Sequence, residues 1–203
     1  MTKIWTFAFS IPAVLLSVFC YGQSNKPVND YLAVPGPILF DKKSYNLSWS
    51  SHPVDNFYKQ EYLEKGTQAN SYKTMILMDV ITGQADVKSV VASKIAELKK
   101  LKEGNPVVNY QSFENPKQGE YMIDFLLSAN AGDGKTMSIV ERNVYRYKTF
   151  TDNSGQSGVL LFGVSTRAYG AEIDPFFSSL KSNKNDLVNK VSQFSLPKII
   201  VRK

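Results

Sequence analysis

The chain has 203 residues, a net charge of +6 and one cysteine, Cys20. This length predicts one domain with an ordinary hydrophobic core, and a single cysteine excludes an internal disulfide. His52 is the only histidine, which excludes sites that need two imidazole ligands, including the common zinc sites. We expect no cofactor and no metal. The positive charges are spread along the chain and do not indicate nucleic acid as a partner.

The first 22 residues have the three regions of a secretory signal peptide. Lys3 precedes an apolar run from residue 4 to about residue 19. A short segment that ends in the small residue Gly22 follows, as expected before a cleavage site. The run is shorter than the ~20 residues that a membrane-spanning helix needs. We therefore expect cleavage near Gly22, a periplasmic or secreted protein, and no integral membrane span in the mature chain. Lipidation of Cys20 is the alternative, but Phe19 is bulkier than the small residue that precedes a lipidated cysteine.

A polar lead segment at residues 23–33 precedes what we interpret as one α+β domain at residues 34–203. The domain is expected to begin with a hairpin whose strands cover residues 38–40 and 45–51. Residues 56–64 are interpreted as a short helix or an irregular arm.

Two strands indicate which residues face the core. Tyr45, Leu47 and Trp49 alternate with polar residues, which predicts that all three lie on the core face. Residues 72–81 are apolar on both faces, which predicts a central strand that is covered on both sides.

The strongest helix prediction covers residues 86–102, where apolar residues recur every three or four positions opposite several lysines. Asp86 can accept hydrogen bonds from the free amides at its start, and Gly104 supplies a stop. An Asp-Pro pair at residues 174–175 opens a second helical region, with the aspartate as cap. The Ser-Asn pair at residues 182–183 is a candidate break in that region.

The strands after the first helix form the largest group. Their short, turn-rich connections predict an antiparallel meander, with strands at residues 107–114, 120–128, 137–150 and 158–169. A last short strand is expected at residues 196–201. The whole order predicts an α+β fold, a mainly antiparallel sheet flanked by helices in an α/β/α sandwich.

This order of elements resembles that of the PsbP and Mog1 type of α/β/α sandwich. The resemblance rests on the central strand at residues 73–81, the helix at residues 86–102, the long meander and the closing helix, and it covers most of residues 36–194. Families of that fold are mostly non-enzymatic accessory or binding proteins, so the resemblance implies a role of that kind.

Residues 129–136 match a permissive form of the phosphate-binding loop, with Lys135 and Thr136 at the expected places. Such a loop must open a helix, whose first backbone amides hold the phosphates. Residues 137–150 are instead rich in β-branched and aromatic residues. We therefore predict a hairpin turn at this position and no nucleotide site.

Few residues remain as candidates for acid–base or nucleophilic chemistry. His52 follows a predicted strand and is interpreted as an exposed turn residue. Glu120 and Asp124 share one strand face and could act as paired acids in glycoside hydrolysis, or be solvated on the outer face. Asp79 interrupts an apolar strand, where an ionised carboxylate costs several kcal/mol unless it is paired. It is either a functional acid in a cleft or the partner of an arginine, for which the candidates are Arg142, Arg146 and Arg167.

Residues 142–148 alternate basic and aromatic side chains. The basic residues point to one face and the tyrosines to the other, so one face could meet anions and the other could stack a sugar or planar ligand. The alternative is a strand covered by a helix, in which the aliphatic parts of the arginine and lysine side chains lie over apolar neighbours. The predicted ligand or partner surface consists of Arg142, Tyr145, Arg146, Tyr147, Arg167 and Tyr169.

These features predict an exported, non-enzymatic binding or accessory protein of the bacterial cell envelope, with an envelope protein or a glycan as its partner. One alternative is an envelope hydrolase that uses Asp79, or Glu120 with Asp124. Another is a self-assembling or adhesive surface protein, since edge strands can pair with a second chain.

Overall fold

The computed structural model describes residues 28–202 of the chain. The signal peptide predicted at residues 1–22, including Cys20, lies outside these residues, as does the first part of the polar lead segment. The last residues of that lead are part of the fold, because Leu32 is fully buried in the hydrophobic core.

Eight antiparallel strands form one sheet with the order β1-β2-β3-β4-β8-β7-β6-β5. The strands are β1 Ile38–Phe40, β2 Lys43–Val54, β3 Phe57–Glu64, β4 Thr74–Thr82, β5 Asn109–Asn115, β6 Glu120–Asn130, β7 Met137–Thr151 and β8 Ser157–Tyr169. The helices are α1 Val87–Gly104, α2 Ile173–Ser182 and α3 Lys184–Gln193. Strands make up 45% of residues 28–202 and helices 23%, so the sheet dominates and the α+β class holds in outline only.

The helices lie on both sides of the sheet, which gives the sheet two different faces. Helices α2 and α3 pack on one of them, together with residues 31–34 and 194–201. We call this the α3 face. Helix α1 packs on the other, the α1 face, over β5 to β7 and the adjoining part of β8. Side chains alternate between the two faces along each strand. On β4, for example, Leu77 and Asp79 point to the α1 face and Met78 points to the α3 face.

Several predicted elements are confirmed. Helix α1 begins after Asp86, whose carboxylate accepts the backbone N–H of Ser89, and it ends at Gly104. Strand β4 is central, with β3 on one side and β8 on the other. Strands β5 to β8 form the expected meander, and residues 131–136 form the hairpin turn between β6 and β7. The second helical region is divided at Asn183, although α2 begins at Ile173, one residue before the predicted cap.

Residues 57–64 form strand β3, so the prediction of a helix or irregular arm was wrong. Tyr58, Gln60 and Tyr62 are buried on the α3 face, and the fully buried Gln60 conceals the alternation of polar and apolar residues. Its amide is satisfied there, since its carbonyl oxygen accepts the backbone N–H of Leu32 at 2.9 Å and its nitrogen donates to Tyr62 Oη at 2.6 Å. A polar side chain with buried partners of this kind cannot be recognised from alternation alone.

The prediction that Trp49 shares a core face with Tyr45 and Leu47 was also wrong. Leu47 pairs with Tyr62 on the α3 face, but a register shift follows, and Trp49 pairs with Glu61. A β-bulge adds one residue to a strand, so the side chains that follow it point to the opposite face. Trp49 therefore points to the α1 face. A second register shift, between Ser51 and Val54, has the same effect on Val54.

The segment at residues 196–201 is not a strand of the sheet. It lies along the lead segment, where the backbone N–H of Ile200 donates to Leu32 O at 3.1 Å. Ile199 is buried in the core of the α3 face. The two ends of the described chain thus cover the sheet together.

Candidate functional site

The structure divides the predicted ligand surface between two faces. Arg142 and Arg146 lie on the α3 face under α3, with exposed fractions of 5% and 9%. The four other residues, Tyr145, Tyr147, Arg167 and Tyr169, are not part of that layer. Tyr145 and Tyr147 pack on the α1 face, and Tyr169 donates from its hydroxyl to the backbone oxygen of Tyr72.

Two bidentate ion pairs lie on the α3 face, and we call their four members, Glu120, Asp124, Arg142 and Arg146, the closed ionic layer. Arg142 donates from Nε and Nη2 to the two carboxylate oxygens of Asp124, both at 2.9 Å. Arg146 binds Glu120 in the same manner, at 3.0 and 2.9 Å. Such paired contacts match the planar fork of a guanidinium to a carboxylate.

The same arginines hold α3 on the sheet. Arg142 donates to the backbone oxygen of Lys184 at the start of the helix. Arg146 donates to Val191 O at 3.3 Å and to Phe194 O at 2.9 Å, at the end of the helix. Carbonyl groups at a helix C-terminus lack partners within the helix, so a buried cation there stabilises the helix end.

Glu120 and Asp124 are therefore buried under a helix, not solvated on an outer face. Burial by itself would raise the pKa of Glu120, but the hydrogen bonds and charge of Arg146, helped by Lys148, outweigh it and hold that pKa below its usual value. A carboxylate held ionised by two guanidinium contacts is a poor proton donor. The contacts of this layer therefore hold α3 on the sheet.

The α1 face differs, because α1 reaches only β5 to β8. Within residues 28–202, no helix packs on β1 to β3 on this side. Three large apolar side chains there are exposed, namely Leu39 at 66%, Trp49 at 43% and Val54 at 52%. We call the part of this surface around Leu39, Trp49, Val54, Lys59, Glu61 and Asp79 the open face. Farther along β3 and β4 on the same side, Leu63, Met75 and Leu77 are buried together with Tyr72.

Charged residues occupy the middle of the open face, and the strand register brings them together. Trp49 on β2 lies opposite Glu61 on β3, and Ser51 lies opposite Lys59. Lys59 in turn lies opposite Asp79 on β4. Side chains that face each other on paired strands point to the same side and are about 5 Å apart at Cβ, with diagonal neighbours roughly 7–8 Å apart. The four side chains, Trp49, Lys59, Glu61 and Asp79, therefore form one group.

Asp79 is the most deeply placed acid of this group. Its side chain is 15% exposed, Lys59 Nζ lies 3.8 Å from Oδ2, and the buried Oδ1 has no hydrogen-bond partner among the described residues. Burial raises the pKa of Asp79 to about 6, although the ammonium groups of Lys59 and Lys94 partly offset it. None of the three candidate arginines contacts this carboxylate. Arg142 and Arg146 lie on the other face of the sheet.

The carboxylate of Glu61, the second acid of this group, is paired less well than that of Asp79. In the part of the chain that the structure describes, no cation lies within ion-pair distance of its carboxylate. Burial raises the pKa of Glu61 to about 7; Lys59 opposes this shift, and the negative charge of Asp79 adds to it. Glu61 and Asp79 are thus two acids that titrate close to neutral pH and share one lysine.

The third candidate arginine, Arg167, belongs to a separate cluster beside the open face. Its Nε donates to Glu141 Oε2 at 2.5 Å, and its guanidinium carbon lies 4.2 Å from the centre of the Tyr72 ring. The Tyr72 hydroxyl donates to the same carboxylate oxygen, and the side-chain amide of Asn143 donates to Oε1. All members of this cluster have partners, in contrast to Glu61.

Tyr145 lies between the Arg167 cluster and α1. Its ring rests on Gly163, where a Cβ atom would come within 2.8 Å of the ring. Burial raises the pKa of the Tyr145 hydroxyl well above its usual value. Glycine at this position therefore lets the tyrosine lie flat on the sheet, where it packs edge-on against Phe125 at 4.9 Å.

The remaining sequence candidates lie elsewhere. His52 is a residue of β2 rather than of a turn, and its ring stacks on Tyr58 with centroids 4.1 Å apart.

A shallow depression of about 350 Å³ lies between residues 33–39 and 194–197, away from the acids of the open face. Across residues 28–202 there is no cluster of side chains suited to a metal ion. In the same range no helix has the length and apolarity to cross a membrane.

Sequence reasoning missed Trp49, Lys59 and Glu61. Lys59 and Glu61 could have been placed on one face had residues 57–64 been interpreted as a strand. The position of Trp49 depends on a bulge, which no residue type in this stretch indicates.

Comparisons with known proteins add one finding. No curated protein and no solved structure matches this chain. A protein-family model matches residues 32–196, which include every strand and helix described above. The chain belongs to that family, an uncharacterised one.

Proposed function

We propose that this chain is an exported, non-enzymatic binding or accessory protein of the bacterial cell envelope, and that its binding surface is the open face. Its partner is an envelope protein or a glycan. Export is supported by the signal-peptide pattern of residues 1–22. The surface assignment is supported by the contrast between the two faces of the sheet.

One observation carries the proposal. Of the five exposed large apolar side chains among residues 28–202, three lie on the open face. They lie beside Asp79, whose buried Oδ1 has no hydrogen-bond partner, and beside Glu61, which has no ion-pair partner within these residues. Exposed apolar side chains next to incompletely paired charges are costly in an isolated protein. A partner that covers the surface removes both costs.

An envelope hydrolase is the second candidate, and the pairing of Asp79 with Glu61 favours it. Burial raises the pKa of Glu61 to about 7 and that of Asp79 to about 6, so both acids titrate near neutral pH. Their diagonal positions on neighbouring strands place their Cα atoms roughly 7–8 Å apart. One could donate a proton while the other accepts one. Turnover of a glycan or ester that is lost in both Asp79→Asn and Glu61→Gln would favour this function over binding.

Self-assembly through sheet edges finds less support. The outer edge of β2 carries register shifts on both sides of residues 49–51, and Pro53 removes a backbone donor. Bulges and proline are common protections against pairing at an edge. The edge strand β5 remains available, and a molecular size that grows with concentration would favour this alternative.

A relationship with the PsbP and Mog1 type also stays a proposal. Its support is the presence of a helix layer on each face of a mainly antiparallel sheet. Such a relationship would agree with an accessory role, but the fold alone does not determine function.

Site-specific photo-crosslinking in cells tests the binding surface. A benzophenone amino acid at Ser51, between Trp49 and Lys59 on the open face, should crosslink one defined partner. The same amino acid at Ser93, exposed on the outer side of α1, is the matched control. The identified partner, once purified, should bind the wild-type protein and lose affinity for Trp49→Ala. Identical products from Ser51 and Ser93 would contradict the assignment.

Export is tested separately. Fractionation should place the mature protein outside the cytoplasm, and sequencing of its amino terminus should begin at Gln23. A chain that starts at Cys20 and carries lipid would show that the lipoprotein alternative is right. A chain that keeps residues 1–22 in the cytoplasm would contradict export.

A further inference from the structure

We infer that the open face receives an arginine side chain from a protein partner, with the guanidinium seated between the Trp49 ring and the carboxylates of Glu61 and Asp79. This inference rests on the proposed function, because it assumes that the open face is the binding surface. It adds the chemical class of the partner and the residues that would recognise it.

Charge complementarity gives the first argument. Glu61 and Asp79 together carry two negative charges when ionised, and Lys59 supplies the only positive charge within 4.0 Å of either in residues 28–202. The contact is 3.8 Å long, and Asp79 Oδ1 is buried without a partner. One further cation would neutralise the group and donate hydrogen bonds to the carboxylate oxygens that solvent reaches. The buried Asp79 Oδ1 would gain only from its charge.

The protein itself shows which cation suits its buried acids. In residues 28–202 the buried acids Glu120 and Asp124 and the half-buried Glu141 are each bound by an arginine. The buried Asp152 instead accepts hydrogen bonds from backbone N–H groups and from Ser154, and no cation binds it within these residues. Arg167 combines its carboxylate contact with stacking on the Tyr72 ring at 4.2 Å. The open face offers the same two elements, a carboxylate and a neighbouring aromatic ring, without the arginine. A guanidinium provides five donors and a flat surface, and it costs less to desolvate than an ammonium.

The shape of the apolar surface favours a protein over a glycan. Leu39, Trp49 and Val54 follow β1 and β2, and the rise of about 3.3 Å per residue spreads them over roughly 30 Å. A strip of this length fits an extended chain segment of about nine residues. Aliphatic side chains such as Leu39 and Val54 match the apolar side chains of such a segment, whereas a glycan would chiefly use the Trp49 ring.

Short peptides provide the direct test. The probes are acetyl-Leu-Arg-Leu-amide, its citrulline analogue and its lysine analogue, followed through the indole N–H signal of Trp49 in two-dimensional NMR spectra. Citrulline keeps the shape of arginine and removes its charge, so it is the matched control. We expect saturable shifts with the arginine peptide, and a Kd at least tenfold weaker for each of the other two.

Variants locate the contact. The double variant Glu61→Gln with Asp79→Asn should weaken the arginine peptide at least tenfold, whereas Glu64→Gln, an acid on β3 that contacts Lys43, should leave its Kd unchanged. Each variant is first checked for a native spectrum. If the double variant does not fold, the citrulline comparison on the wild-type protein decides the question alone.

Each of the following results with the peptides would overturn the inference. They are equal binding of the arginine and citrulline peptides, equal binding of the arginine and lysine peptides, and no binding of the arginine peptide at all. A shift of Trp49 with chitohexaose but not with the arginine peptide would also overturn it, while leaving the open face as a binding surface. Failure of the proposed function itself is recognised separately, by identical crosslinks from Ser51 and Ser93.

Discussion

The closed ionic layer and the open face lie on opposite sides of one sheet, and they differ in how completely their carboxylates are paired. Under α3, Glu120 and Asp124 each receive two guanidinium hydrogen bonds of 2.9–3.0 Å. On the open face, Glu61 and Asp79 share one lysine whose nearest contact is 3.8 Å. Complete pairing is what a structural ion pair requires. Incomplete pairing beside exposed apolar side chains is what we expect of the proposed binding surface, which a partner would cover.

Disruption of the closed ionic layer should destabilise the protein more than any other change considered below. Arg146→Met should lower the free energy of unfolding by about 3–5 kcal/mol, because it leaves the buried Glu120 with only Lys148 at 3.4 Å and removes the hydrogen bonds to the last carbonyl groups of α3. Urea denaturation followed by circular dichroism measures the change.

A double replacement sharpens the same point. Glu120→Leu together with Arg146→Met removes both charges and should restore a large part of the lost stability, since an apolar pair of similar volume often replaces a buried ion pair without loss. A double variant as unstable as Arg146→Met alone would show that the arginine acts mainly through the carbonyl groups of α3.

The pH dependence of stability should have opposite signs for the two regions. Glu61 and Asp79 have folded pKa values of about 7 and 6, above their ordinary 4.5 and 3.8. The folded state therefore holds more protons than the unfolded state between about pH 4 and 7, and their contribution to stability falls as the pH rises through this window. Glu120, whose pKa is lowered, contributes stability above pH 4.5 that is lost at lower pH.

Glu61→Gln isolates the contribution of the open face. Because the glutamine stays neutral, the variant should gain about 1–3 kcal/mol relative to the wild-type protein between pH 4.5 and 8. Urea denaturation of both proteins at several pH values within that range gives the comparison. A difference that does not change with pH would mean that Glu61 is well solvated or paired in the folded protein.

Gly163→Ala tests the border between α1 and the open face. The added methyl group would lie 2.8 Å from the Tyr145 ring, so the ring must move, and we expect a loss of about 1–3 kcal/mol. In the Tyr145→Ala background the same glycine substitution should cost much less, because the obstructing ring is gone. Additive costs measured by urea denaturation would place the strain in the backbone instead.

The smallest effect on stability is expected for Trp49→Ala. The side chain is 43% exposed and packs on a surface that no helix covers, so the free energy of unfolding should change by less than about 1 kcal/mol. Binding of the partner or of the arginine peptide should nevertheless be lost. A loss of several kcal/mol in stability would make Trp49 a core residue and weaken the contrast between the two faces.

Local patterns predicted much of the fold. Helix α1, the central strand β4, the meander and the break between α2 and α3 all follow from periodicity, caps and turn residues. The hairpin turn at residues 131–136 could also be predicted, because the following segment has the residue types of a strand. These features depend on neighbours within a few positions, which is the range that a sequence displays.

The candidate site was predicted only in part. Asp79 was recognised because a charge interrupts an apolar strand, but its partner is Lys59 on β3, a strand that was interpreted as a helix or an irregular arm. Arg142 and Arg146 were placed on a possible ligand surface, yet residues of α3 that lie more than 40 positions later in the chain cover them. Contacts between distant segments decide the environment of each charged side chain.

Local sequence patterns are enough to predict the type and order of most elements and the placement of a charge within a central strand. They do not reveal which carboxylates are paired, because pairing depends on strand register and on which helix covers which face. The bulge after Leu47 is the clearest case, since one extra residue turns Trp49 from the core side to the open face beside Glu61.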